Sequence, residues 1–345
     1  MKTTKILIYG ASGYVGKLFA KEALKFGLKP ILAGRGNNIS EFAQKMDLES
    51  RVFSLDTPSV LIENLKDIAI LINLAGPFSA TARPLIEACL ETKTHYLDIA
   101  GEVPEFQLVH SYTQKAQEVG ILLLSGAGFG VVPTDLAANL AKENLPNVTH
   151  LKIAYSTTGG VSRGTLKTVL KDINKEGVIR INNKLEKAKP AFKEMTFTSQ
   201  NKKYEAVYNP WRADLFTAGI STSIPNIETY STFPSPIVSM MKGKLLWLRN
   251  FILNNLINLL PEGSSEKELK NGKTIVYVEA KNEKGETSTV EIIGSEAYLF
   301  TVQALLFIIK TMQEKKDFPF GFQTPVTAFS TTLLQKIPSL QIKNN

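Results

Sequence analysis

The sequence predicts an α/β protein, with a doubly wound parallel sheet in its first third and a second domain of α+β type. Three observations predict it. Short apolar runs alternate with amphipathic stretches as far as residue 125, and a glycine-rich turn joins the first run to the first stretch. Near residue 130 the alternation ends, and strand-like segments then follow one another without regular crossovers. The 345 residues suffice for two domains. Boundaries at 1–130 and 131–323 follow, with a terminal helix at 324–340 expected to pack back on the first domain. A hydrophobic content of 43% with 21% charged residues excludes a disordered chain.

Strands are expected at 5–9, 30–33, 51–54, 69–73, 94–98 and 120–124. Each is a continuous apolar run, as a strand covered on both faces requires. Helices at 15–26, 83–92 and 105–119 show apolar residues at helical spacing. A helix starts near Pro133, Thr134 and Asp135, followed by strands at 150–155, 194–198, 203–207, 274–280 and 288–294. The last two flank a hairpin turn around 282–285. Further helical patterns occupy 164–175, 236–260 and 295–314. Thr324 and Pro325 cap and open a final helix over 326–337.

The first turn reads Gly10-Ala11-Ser12-Gly13-Tyr14-Val15-Gly16. Gly10 permits the tight turn, Gly13 lets backbone approach a pyrophosphate, and Gly16 allows close helix–strand packing. A helix N-terminus behind it offers N–H groups to phosphates. The spacing follows a strand and opens a helix, so it predicts a Rossmann-type dinucleotide site. The second strand ends in Gly34-Arg35, where an NAD site carries Asp or Glu. A guanidinium suits a 2′-phosphate, so the expected cofactor is NADP. Asp56 follows the third strand, where the adenine edge lies; it reads equally as a cap ahead of Pro58. Ala75, Gly76 and Pro77 follow the fourth strand, beside the crevice for the nicotinamide half.

The 10–16 loop, Ala33-Gly34-Arg35, Ala75-Gly76-Pro77, Thr94-His95-Tyr96-Leu97-Asp98 with Gly101-Glu102, and the 128–136 segment together resemble the saccharopine dehydrogenase-like oxidoreductases. The tail, Gly321-Phe322-Gln323-Thr324-Pro325 with Ala328-Phe329, resembles that family's ending. The arrangement is closer to a bacterial branch that includes trans-acting enoyl reductases. The resemblance implies hydride transfer with a nicotinamide cofactor; it does not name a substrate. The chain departs from many relatives at Gly130, where they carry aspartate.

Period-2 alternation puts Tyr96 and Asp98 on one face of the fifth strand, at the edge where a crevice opens. Tyr96 is a candidate proton donor to a developing alkoxide or enolate, and Asp98 could orient it or the ribose. Alternatively Tyr96 fills the sheet–helix layer and Asp98 caps the loop to Gly101, while His95 reads as a core histidine. Tyr155 and Arg163 are candidate substrate contacts, with Glu102 and Arg212 behind them. Arg163 follows a polar turn, from which it could clamp a carboxylate or phosphate. Tyr277 and Lys281 have the Tyr-x-x-x-Lys spacing of short-chain dehydrogenases but fall in a strand, which excludes that reading. His95, His110, His150 and the lone Cys89 have no zinc-ligand spacing, so no metal is expected.

The net charge of +8 gathers beyond the first domain, with 14 basic against 8 acidic residues at 141–241. No aromatic-basic module accompanies it, so nucleic acid is not an expected partner. The 242–260 segment combines Lys, Trp and apolar residues; it reads as a core or dimer helix, or as one lying on a membrane surface. A small-molecule or lipid-like substrate and a homodimer fit the same features. The N-terminus lacks a leader's apolar run, and one cysteine excludes an internal disulfide, so a cytoplasmic location is expected, with peripheral membrane contact left open. The leading function is an NADPH-dependent reductase of a C=O, C=C or C=N bond. The alternatives are a non-catalytic NADP-binding regulator and a lipid-surface protein on the same fold.

Overall fold

The computed structural model describes residues 5–315 and 317–344. Met1 to Thr4, part of the stretch on which the absence of a leader was read, lie outside them. The chain divides into two compact units. The first takes residues up to Val132 together with Thr301–Ser330; the second takes Pro133–Phe300 and residues from Thr331 on.

In the first unit, β1 (Ile6–Tyr9), β2 (Ile31–Gly34), β3 (Ser50–Val52), β4 (Ile70–Asn73), β5 (His95–Asp98) and β6 (Leu122–Leu124) alternate with helices. These are α1 (Tyr14–Lys25), α2 (Asn38–Lys45), α3 (Pro58–Leu65), α4 (Phe78–Thr92), α5 (Val103–His110) and α6 (Thr113–Val119). The expected helix at 105–119 is thus two. Ile-Leu-Ile runs make β1 and β4 fully buried, as sheet strands with helices on both faces must be. In α1 the buried residues Gly16, Phe19, Ala20 and Ala23 recur at helical spacing and turn one stripe to the sheet.

Strand order runs β3-β2-β1-β4-β5-β6, parallel throughout. The chain therefore reverses its direction of travel between β1 and β4, the switch point at which such sheets bind ligands.

The second unit contains α7 (Val132–Glu143, its first residue in the first unit), β7 (Val148–Thr158), α8 (Arg163–Lys171), β8 (Gly177–Ile181), β9 (Lys184–Ala188), β10 (Glu194–Ser199) and β11 (Lys202–Tyr208). It continues with α9 (Asp214–Thr222), β12 (Asn226–Ser231), α10 (Ser235–Met241), α11 (Leu246–Phe251), α12 (Glu266–Asn271), β13 (Lys273–Asn282) and β14 (Thr287–Ser295). α13 (Ala297–Glu314) begins in the second unit and ends in the first. β15 (Gly321–Gln323) pairs in parallel with β6 and widens the first sheet to seven strands.

The second sheet orders β10-β11-β12-β7-β13-β14 and closes with a terminal strand, Gln341–Asn344. It is mixed, since β12 runs parallel to β7 while β11 and β13 are antiparallel to their neighbours. Two expected helices are corrected. The 236–260 stretch breaks after α10, at Gly243 (φ +78°) and Leu245 (φ +53°). The terminal helix is two short ones, Pro325–Phe329 and Thr331–Leu334, separated where Ser330 takes φ +66°. The first stays with the first unit and the second belongs to the other.

Candidate functional site

The loop after β1 is built by close backbone contact. Gly10 (φ +91°) and Ala11 donate their N–H groups to the Ala33 carbonyl of β2, at 2.9 and 3.2 Å. A Cβ at Gly10 would stand 2.7 Å from the Ala75 nitrogen and 2.8 Å from the Leu74 carbonyl carbon. The loop after β1 and the turn after β4 thus meet at the switch point, and only glycine fits between them. A Cβ at Gly16 would stand 2.5 Å from the Gly10 carbonyl oxygen, which draws α1 onto the loop. Gly13 caps α1 without a side chain and is exposed, so no capping side chain blocks the approach of an external anion to the helix N-terminus. Ser12, Tyr14 and Val15 line the same turn, each half-buried.

Arg35 stands just past β2 and is exposed. Asp56 is exposed too, and it is not a helix cap, because Thr57 takes that position ahead of Pro58. Both sit near the Tyr9 hydroxyl, which donates to the Phe53 carbonyl at 3.3 Å. Burial raises the Tyr9 pKa, the Arg35 charge lowers it and the Asp56 charge raises it. A cation and a carboxylate therefore flank one corner of the sheet, at the ends of β1, β2 and β3.

The turn after β4 is held from beneath. Asn73 is fully buried; its Oδ1 accepts from the Ala75 N–H at 3.1 Å, and its Nδ2 donates to Thr81 Oγ1 at 3.0 Å and to the Tyr96 hydroxyl at 3.1 Å. Thr81 in turn donates to the Ala75 carbonyl at 2.7 Å. Both backbone groups of Ala75 are thereby fixed, while Gly76 and Pro77, joined by a cis peptide, are exposed. Asn73 and Thr81 carry no motif; the one available signal was a polar residue closing the apolar run Ile70-Leu71-Ile72.

Tyr96 and Asp98 share a face, as the alternation predicts, but both have no accessible surface. Burial, and then the Asp98 charge, push the Tyr96 phenol well above its ordinary pKa. In this structure the phenol is turned inward and accepts from Asn73, so its observed contact is with the brace of the β4 turn. Asp98 Oδ1 accepts from the N–H groups of Ala100 and Gly126, at 2.9 and 3.0 Å, and from Ser125 Oγ at 2.7 Å. Burial raises its carboxyl pKa. Through these bonds it closes the loop toward Gly101. His95, half-buried, accepts from the Leu122 N–H of β6 at 2.9 Å. At Gly130 a Cβ would meet the Ala100 carbonyl at 3.6 Å, an ordinary contact, so nothing in the backbone demands glycine there.

Two further candidates belong to the second unit. Tyr155 on β7 carries the Arg212 guanidinium over its ring at 4.2 Å. Arg212 is buried and pairs with buried Asp214, which also accepts from Thr134. Arg163 opens α8 and donates to the Asn258 carbonyl at 3.2 Å, with Glu262 3.8 Å away. The polar turn before it is partly strand, since β7 runs to Thr158. Among the described residues no group of three His, Cys, Asp or Glu is arranged to hold a metal ion.

Residues 6–124, the span of this sheet up to β6, match the saccharopine dehydrogenase NADP-binding domain family. The first unit's sheet is thus similar to that NADP-binding domain. A saccharopine dehydrogenase-like oxidoreductase of Arabidopsis thaliana is 33% identical over 38% of this chain and 33% of its own length. A trans-acting enoyl reductase of Mycobacterium tuberculosis is 30% identical over 48% of this chain and 43% of its own. The chain thus spans less than half the length of these two relatives. The saccharopine dehydrogenase (L-Glu forming) of Saccharomyces cerevisiae superposes with a TM-score of 0.67 over 99% of this chain and 100% of its own. Its 11% identity makes that likeness one of fold. The cofactor of the saccharopine dehydrogenase-like domain is NADP. The exposed Gly13 at the N-terminus of α1 and the exposed guanidinium at Arg35 both suit that group.

Proposed function

We propose that the chain is an NADPH-dependent reductase of a C=O, C=C or C=N bond in a small or lipid-like substrate. The observation that carries the reading is the meeting of the glycine loop with the Ala75 turn at the switch point, with Arg35 at the neighbouring strand end. In this reading Gly10, Ser12, Gly13, Tyr14, Val15 and Gly16 enclose the diphosphate. Arg35 takes the 2′-phosphate through charge-assisted hydrogen bonds, and Asp56 borders the adenine. Ala75, Gly76 and Pro77 border the nicotinamide half, kept in place by Asn73 and Thr81. Bound NADPH supplies the hydride; the chain's own work is to bind, orient and exclude water.

The test is fluorescence titration with NADPH, then NADPH oxidation screened against saccharopine-type imines, enoyl esters and keto lipids. Saturable binding with turnover of one class supports the reading and names the bond. Failure to bind NADPH overturns it. Tight binding without turnover favours the regulator, the second reading that the burial of Tyr96 and Asp98 leaves in play.

A further inference from the structure

The 242–260 segment contains Lys242, Lys244 and Arg249 and no Asp or Glu. From Leu246 the chain is helical through α11 and widens to π geometry over Ile252–Leu256. One side of this helix is used: Leu248, Ile252 and Leu253 pack on the cluster of Leu170, Ile173, Met240 and Met241. The other side is not. Trp247 is 68% exposed, Phe251 one turn on is 49% exposed, and Leu259 beyond them is 80% exposed. Among the described residues no other large apolar side chain is as exposed as Trp247 or Leu259.

α8 runs antiparallel beside this helix. Arg249 donates to Asn174 Oδ1 at one end, and Lys167 donates to Asn258 Oδ1 at the other. The two stretches, 163–175 and 242–260, hold Arg163, Lys167, Lys171, Lys175, Lys242, Lys244 and Arg249 against the single acid Asp172; Lys175 pairs with Asp172, Lys242 with Glu194 and Arg163 with Glu262, so the basic character rests on Lys167, Lys171, Lys244 and Arg249. Between the exposed apolar residues stand Asn250, Asn254, Asn255 and Asn258, polar but uncharged.

We propose that this face docks on an anionic phospholipid bilayer, the helix lying in the interface plane with Trp247, Phe251 and Leu259 among the headgroups. Apolar insertion supplies part of the attraction and the basic surround the rest. Tryptophan's amphipathic ring favours that depth. A second copy of this chain fits the face poorly, because a two-fold contact would set the same cations against one another. Spanning is excluded for the described residues, none of whose helices is long and apolar enough to cross a membrane. The proposal stands apart from the reductase reading.

The experiment is vesicle co-sedimentation of the full chain, with phosphatidylcholine alone or mixed with phosphatidylglycerol, while tryptophan emission is recorded. Pelleting is expected with the mixed vesicles only, weakened by salt, with a blue shift that is lost in Trp247→Phe. Each basic residue near an anionic surface is worth roughly fivefold in binding, so Lys244→Glu with Arg249→Glu should lower affinity at least ~25-fold. Trp247→Ser with Phe251→Ser and Leu259→Ser should abolish pelleting. Far-ultraviolet circular dichroism and a thermal melt of each variant, set beside the wild type, check that it is folded. No pelleting of the folded wild type, or pelleting indifferent to these changes, overturns the proposal. A dimer in solution that Trp247→Ser disperses gives the face to a second copy instead, and also overturns it.

Discussion

Replacing Asn73 by Ala removes three hydrogen bonds at once: those from the Ala75 N–H, to Thr81 and to Tyr96. Each is worth about 1 kcal/mol net, and buried groups left without partners cost more. Tyr96 is fully buried and loses its Asn73 donor, whereas Ala75 is half-buried and can turn to water. The sum is ~2–4 kcal/mol of stability, on the order of a 5–15 °C fall in the melting temperature of a unit this size. The same change frees the Ala75 turn from Thr81's neighbour and widens its approach to Gly10, so NADPH affinity should fall at least ~10-fold, even at temperatures where the variant is folded. Differential scanning calorimetry with and without NADPH, alongside fluorescence titration, reads both effects. Wild-type melting and wild-type affinity in Asn73→Ala would refute the idea that this side chain holds the cofactor turn.

Arg35→Asp should weaken NADPH by roughly 10–100-fold, the loss of a charge-assisted pair, while NADH binding holds or improves; parallel titrations with both nucleotides check it. Gly10→Ala places a methyl against the Ala75 backbone at φ +91°, and should abolish measurable NADPH binding while lowering stability by ~1–3 kcal/mol. Asp98 is an acid whose folded-state pKa is raised, so its contribution is intact below its ordinary carboxylate range and is lost as pH rises through the raised value. Asp98→Asn keeps an acceptor for Ala100, Ser125 and Gly126, and its denaturation midpoint should gain on the wild type as pH rises from 4 toward 7. Parallel curves would contradict that. Asp67 behaves in the opposite sense: hydrogen bonds from Arg51 lower its pKa, so Arg51→Met should flatten the acid limb of stability, by a small amount because Asp67 is 42% exposed.

The strands of the first sheet were legible because Ile-Leu-Ile runs bounded by turn residues admit few other readings. The glycine loop was legible because its position between strand and helix supplies the context that spacing alone lacks. What alternation could not convey was exposure. In a sheet covered on both faces, Tyr96 and Asp98 share one side with each other and that side is also interior. The Asn73–Thr81 brace was hidden for another reason, since its partners come from a strand end, a turn and a helix whose proximity only the fold creates. In the second unit the parallel pairing of β12 with β7 joins segments about 75 residues apart by the crossover rule for parallel strands. The break before α11 rests on a leucine at positive φ, which no residue preference announces.

The path of the chain has a consequence for how the protein is made. β15 completes the nucleotide-type sheet by pairing with β6, yet its residues are Gly321–Gln323. On a ribosome the six earlier strands emerge long before their seventh neighbour, and β6 waits as an open margin while the whole intervening domain is synthesised. A shortened gene ending after Val132 would encode that unfinished margin permanently, so insoluble product from it would reflect a missing strand and not a poor choice of boundary.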